Sequence, residues 1–178
     1  MTQLRERPDF ISLEPRSSRA RRIFAFPNPV NEYAARVTAG IVVVLALATL
    51  LTGQGWGLVL IAGGFILRVL FGPRISPAAL LSTKVITPRL GKVNLVAGPP
   101  KRFAQGIGAV LSTAAAVLYL TGVPVAAWAL TAVLIIAASL EAFVGLCIGC
   151  VVFGRLQRAG VIPEDVCEAC NNISLRRR

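Results

Sequence analysis

Apolar residues run without a single charged residue over 37–67 and again over 103–140, stretches of 31 and 38 positions. As single helices rising ~1.5 Å per residue these would be roughly 46 and 57 Å long, too long for one crossing of a hydrocarbon layer about 30 Å thick. Each therefore reads as a helical hairpin. Gly53-Gln54-Gly55-Trp56-Gly57 supplies the turn in the first and Gly122-Val123-Pro124 the turn in the second. The predicted spans are 35–52, 56–72, 103–121 and 125–147, and the predicted fold class is an all-α polytopic membrane protein, a four-span helical bundle of two hairpins. Between the hairpins, Ser76-Pro77 followed by Ala79, Leu80, Lys84, Val85 and Ile86 ahead of Pro88 predicts a short interfacial helix in the central loop.

Composition agrees with this pattern. Hydrophobic residues make up 55% of the 178 and charged residues only 15%, with a mean hydropathy of +0.70, whereas a soluble domain keeps about a quarter of its residues charged. Lysine and arginine number 19 against 8 acidic residues, a net charge of +11. These cations flank the apolar runs instead of lining one surface among aromatics, so the basic balance does not indicate nucleic acid. The two short turns carry no charge, and the positive-inside bias then places the N-terminus, the central loop and the C-terminal tail in the cytoplasm, the chain being an integral protein of an inner or plasma membrane. Three regions follow. Residues 1–30 are an Arg/Pro-rich tail, expected to be disordered or to lie on anionic lipid headgroups; 31–153 form the membrane domain; 154–178 are a cysteine-bearing cytoplasmic tail.

Histidine is absent, which excludes imidazole acid–base chemistry and mixed Cys/His zinc sites. Two ionisable residues fall inside the predicted spans. Counted from Trp56 and Trp128 as interface anchors, Arg68 and Glu141 lie 12 and 13 residues deep, roughly 18 and 20 Å. A lone charge there costs at least ~2.5 to 3.5 kcal/mol, so the two read as an intramembrane ion pair between spans two and four. In the central loop, Arg74, Arg89, Lys101 and Arg102 are candidates for contact with an anion or with lipid.

The cysteines carry the strongest chemical signal. Cys147-Ile148-Gly149-Cys150 and Cys167-Glu168-Ala169-Cys170 make the pattern C-x2-C-x16-C-x2-C, all on the cytoplasmic side. Two readings compete: four thiolates holding a tetrahedral zinc ion, or two dithiols in a relay. With Cys147 and Cys150 at the C-terminal end of span four, the helix dipole disfavours a thiolate there. Gly145-x-x-x-Gly149 reads as a small-residue face for close helix packing.

Several ordered motifs carry a family resemblance: Phe26-Pro27-Asn28-Pro29-Val30-Asn31, Phe71-Gly72-Pro73-Arg74-Ile75-Ser76-Pro77, Pro88-Arg89-Leu90-Gly91, Pro99-Pro100-Lys101-Arg102-Phe103-Ala104-Gln105 and Cys147-Ile148-Gly149-Cys150. Over roughly residues 26–150 the chain resembles the bacterial membrane family called domain of unknown function 4395, in an actinobacterial-type version. The resemblance implies a small four-span membrane protein with no assigned reaction. It also implies partners among thioredoxin-like or thiosulfate-sulfurtransferase proteins, and hence thiol or sulfur metabolism, with Cys147 and Cys150 as the matching pair. The expected activity is thus cytoplasm-facing thiol-redox or sulfur transfer, the alternatives being a structural four-cysteine zinc clamp and a small-anion transporter.

Overall fold

The computed structural model describes residues 30–72, 76–86, 89 and 94–163. Short strand β1 (Val30–Asn31) leads into helix α1 (Glu32–Thr52), and α2 (Trp56–Phe71) follows after a tight turn. A short helix, α3 (Pro77–Leu81), continues through a wider π-helical turn, Ser82–Ile86. Strand β2 (Leu95–Val96) precedes α4 (Gly98–Leu120); α5 (Pro124–Ser139) widens into a second π-helical turn, Leu140–Val144, and α6 (Ile148–Arg158) completes the order.

The helices start and stop where local chemistry directs. Asn31 caps α1, its side chain accepting the Tyr33 N–H at 3.1 Å, with Glu32 in the first turn. Both predicted hairpin turns form, with Gly53 and Gly122 at positive φ. Helix α4 begins at Gly98, ahead of the expected 103, because Pro99 and Pro100 occupy its first positions, where a fixed φ suits a helix and a missing N–H costs nothing.

Among the described residues three helical segments are long and apolar enough to cross a bilayer: Glu32–Thr52, Gly98–Leu120 and Pro124–Val144, with mean hydropathies of 2.2, 1.6 and 2.0. Helix α2 has 16 residues, about 24 Å at helical rise, and is the shorter apolar member. Many large apolar side chains face outward, Val44, Leu60, Val110 and Val125 among them, while the interior mixes alanines and the hydroxyls of Thr38, Thr49, Ser112 and Thr131 with fewer large ones such as Val42, Leu58, Phe65 and Leu134. Each of these hydroxyls bonds a carbonyl four residues earlier. A soluble domain keeps most such large apolar side chains inside. Small residues inside and branched apolar residues outside suit helices packed in lipid.

Helix α2 lies chiefly along α4, α4 along α5, α5 along α1, and α6 folds back onto α4. Antiparallel pairing of β1 with β2 (Val30 opposite Val96, Asn31 opposite Leu95) fastens the start of α1 beside the start of α4. This ladder is an addition to the all-α expectation. Arg36, one turn into α1, reaches the carbonyls of Ala142 and Phe143, so the end of α5 lies at that same end of the bundle. At the opposite end the two turns meet, the Tyr119 hydroxyl donating to the Gly53 carbonyl at 3.3 Å. The central-loop helix forms where predicted and packs on α1, the buried hydroxyls of Thr38 and Ser82 lying 2.6 Å apart.

Candidate functional site

Helix α5 does not run on through the cysteines. After the π-helical turn Leu140–Val144, Gly145 takes φ +81, a left-handed value that only glycine adopts without strain, and the N–H groups of Gly145 and Leu146 fold back onto the Leu140 carbonyl. Arg36 takes up the freed carbonyls, its guanidinium donating to Ala142 O at 3.3 Å and to Phe143 O at 2.9 Å. The chain thus turns an elbow, and Cys147 becomes the N-cap of a new helix, its Sγ accepting the Cys150 N–H at 3.3 Å.

This overturns the expected placement at a helix C-terminus. The dipole of α6 favours negative charge on Cys147 sulfur, the arrangement that activates redox cysteines. The thiol hydrogen bond from Cys150 holds the Cys147 thiol below its ordinary range, a Lys101 cation helping and burial opposing, while the same bond pushes the Cys150 thiol up. Both are free thiols; Cys147 is buried and Cys150 half-buried. Gly145 and Gly149 do not form a helix-packing face, since the elbow separates them. Gly149 instead lets α6 touch α4: a Cβ there would lie 2.6 Å from Ala104 Cα. Phe153 seats the helix edge-on against Phe103 at 5.6 Å.

A cavity of about 250 Å³ lies behind Cys147, enclosed by α1, α2, α4 and α5. Arg68, Gln105 and Glu141 are its polar lining; Val42, Phe65, Leu111 and Leu134 are among its apolar walls. The expected Arg68–Glu141 ion pair is replaced. Glu141 binds the Lys101 ammonium at 2.8 Å, both side chains largely buried at 15% and 9% exposure. Arg68 is buried, donates from Nε to the Gly64 carbonyl at 3.0 Å and lies 4.3 Å from the centre of the Phe65 ring. Early initiation of α4 is the physical reason, since it carries Lys101 inside the bundle beside Glu141 instead of leaving it in the loop as a lipid contact. Arg68 remains within electrostatic reach of Glu141.

The family defined by a domain of unknown function, DUF4395, matches residues 30–158. The chain belongs to this family. No curated protein and no solved structure matches the chain. The DUF4395 region runs from β1 to the end of α6, so the elbow, the cavity and the Cys147–Cys150 pair all lie within it. Cys167, Cys170 and Arg74 lie outside the described residues, which therefore supply two of the four thiols of the zinc reading. Among the described residues no group of three metal-ligating side chains forms. Arg89 and Arg102 are exposed. Arg36 and Gln105 are site residues that sequence reasoning missed. Arg36 is one of the cations that flank the first apolar run, and Gln105 closes the Pro99–Gln105 motif.

Proposed function

We propose that this is a multi-pass protein of the bacterial cytoplasmic membrane whose Cys147–Cys150 pair is a thiol-redox or sulfur-transfer centre facing the cytoplasm, working with a thioredoxin-like or sulfurtransferase partner. One observation carries the reading: Cys147 caps an 11-residue helix and accepts the Cys150 N–H. Four crossings, with α2 as the short one, are supported by the β1–β2 ladder, which requires the first hairpin to return to the end from which it started. The bilayer accommodates a short apolar helix by local thinning or by neighbouring helix tilt. Positive residues Arg36, Lys101, Arg102, Arg155 and Arg158 gather at the ladder end, and the positive-inside bias makes that end cytoplasmic.

Exposure divides the labour between the sulfurs. A partner thiolate attacks Cys150, the more accessible sulfur of the oxidised pair; the Cys147–Cys150 bond breaks and the electron pair leaves on Cys147, the better leaving group because its thiolate is stabilised. The partner's second thiolate then displaces Cys150 from the mixed disulfide. The partner ends as a disulfide and this chain as a dithiol, two electrons richer, with protons from the partner's thiols passing to Cys150 and to water. Sulfur transfer uses the same attack on a persulfide, the sulfane atom moving to a cysteine as the donor's thiolate departs.

The test is trapping in cells followed by mass spectrometry. A thioredoxin-like partner whose second cysteine is replaced by serine should accumulate as a mixed disulfide on Cys150, because the thiolate that displaces Cys150 is gone. Cysteines that never join a partner or carry extra sulfur would defeat the proposal. A stoichiometric zinc ion, lost on replacing any one of the four cysteines, would defeat it in favour of a structural clamp.

A further inference from the structure

A dithiol that has received two electrons must pass them on, and the cavity beside Cys147 has the features of the place where this happens. Cys147, and not Cys150, lines it. At about 250 Å³ it lies below the range of roughly 300 to 1,000 Å³ typical of drug-sized ligands, so it admits a single substituted ring and excludes a nucleotide cofactor. Its walls are the apolar side chains of a membrane-type bundle, with Arg68, Gln105 and Glu141 as its polar groups.

The charges select among such ligands. Lys101 and Glu141 pair at 2.8 Å, Arg68 is a further cation in the cavity lining, and Cys147 caps α6, where negative charge on its sulfur is favoured and would bring the site to neutrality. A permanent anion would upset that balance, whereas a neutral molecule preserves it. Once sulfur gives up its electron pair the compensating negative charge vanishes, and it is best restored on the ligand itself, near the buried Arg68 guanidinium. Gln105 supplies a second, independent sign of a ligand. Its Oε1 is buried with no hydrogen-bond partner among the described residues, an arrangement a folded protein rarely leaves unanswered. A hydroxyl formed on the ligand would satisfy it.

We propose that the cavity holds the head group of a quinone, a neutral lipophilic acceptor that becomes an oxyanion on reduction, and that it oxidises the Cys147–Cys150 dithiol. The chemistry rests on the dithiol reading above. Cys147 thiolate bonds to a ring carbon and an electron pair moves onto the carbonyl oxygen near Arg68. Cys150, releasing its proton, then attacks the Cys147 sulfur; the S–S bond forms, the S–C bond breaks, and its electron pair stays on the ring. Overall the two thiols lose two electrons and two protons and the quinone gains both, one proton coming from Cys150 and the other, earlier lost by Cys147, returning from water.

Duroquinone is the probe, because its fully methylated ring has no free position for irreversible capture of thiols. Binding is measured by equilibrium dialysis of the Cys147→Ser/Cys150→Ser protein in lipid nanodiscs, so that no chemistry intervenes. Arg68→Gln and Gln105→Leu, each checked for native helical content, should weaken binding at least tenfold; if Arg68→Gln fails to fold, Gln105→Leu carries the test. The reduced, unsubstituted protein mixed anaerobically with duroquinone should yield one hydroquinone per disulfide. Binding that neither substitution changes is partition into lipid and overturns the proposal, as does binding of bromide or acetate at Arg68 without binding of the quinone. Mixed-disulfide trapping on Cys150 without specific quinone binding overturns the quinone and leaves the dithiol standing. Specific binding with no hydroquinone formed, together with failed trapping, overturns the dithiol and with it the electron transfer.

Discussion

The two ends of the bundle are built on different principles. At the turn end, segments 49–60 and 114–131 contain no charged residue, and Leu58 packs with Ala115, Ala116 and Ala127 while Tyr119 meets Trp128 edge-on at 5.4 Å. At the ladder end, Lys101 and Glu141 are paired inside the protein, Arg68 is buried, two helices widen into π-helical turns, and the chain breaks at Gly145. One end is packed with small side chains and satisfied by its own backbone. At the other, irregular backbone frees carbonyls that Arg36 answers, and Arg68 and Glu141 line a cavity that reaches a thiol. π-helical turns concentrate at functional sites for this reason: they displace side chains and expose backbone that regular helix would consume.

Breaking the charged end should have the largest effect. Glu141→Gln leaves the Lys101 ammonium buried without its partner, and a loss of about 3 to 5 kcal/mol in unfolding free energy is expected from denaturation in detergent. Replacing both partners by Lys101→Met with Glu141→Leu should recover most of it, and a double variant as unstable as the single would show that the pair does more than neutralise itself. Gly145→Ala comes next. Its φ of +81 imposes roughly 1 to 2 kcal/mol of strain on any L-residue, and the new methyl would sit 3.2 Å from the Arg36 guanidinium, so Cys147 labelling kinetics should change together with stability.

The thiols sharpen the same contrast through pH. Because the Cys147 thiol is held below the free-thiol value of about 8.5, its thiolate persists below that pH. Alkylation should stay fast as pH falls until the lowered value is crossed, while Cys150, shifted the other way, stays unreactive. Cys150→Ala removes the donor, so the Cys147 profile should move toward higher pH. A profile unchanged by this substitution would show that the helix terminus alone sets the acidity. The smallest effect belongs to the quiet end: Tyr119→Phe deletes one exposed hydrogen bond to Gly53, about 0.5 to 1 kcal/mol, and should leave cysteine labelling untouched.

Much of the bundle is legible in the chain because its signals are local. The uncharged stretches, Gly53, Gly122 and Ser76-Pro77 mark the hairpins and the loop helix through helix length and turn chemistry, and these depend on neighbours in sequence alone. The site was less legible. Pro99-Pro100 is the same helix-opening signal as Ser76-Pro77, and taking it as a start moves Lys101 from loop to core. The elbow at Gly145 resembles an ordinary small residue near a helix end, because what makes it a break, the Arg36 guanidinium on Ala142 and Phe143, comes from 106 and 107 residues away.

By itself, then, the sequence determined that the chain is a bundle of apolar helices with its charges segregated from its turns, since burying charge in a low-dielectric layer is costly wherever the residue happens to fold. Only the tertiary structure decided which cation meets Glu141 and at which end of a helix Cys147 sits. Those outcomes depend on where distant segments come to rest, and a reversal in the sign of a helix dipole at one sulfur follows from a single glycine turn that Arg36 of α1 holds in place.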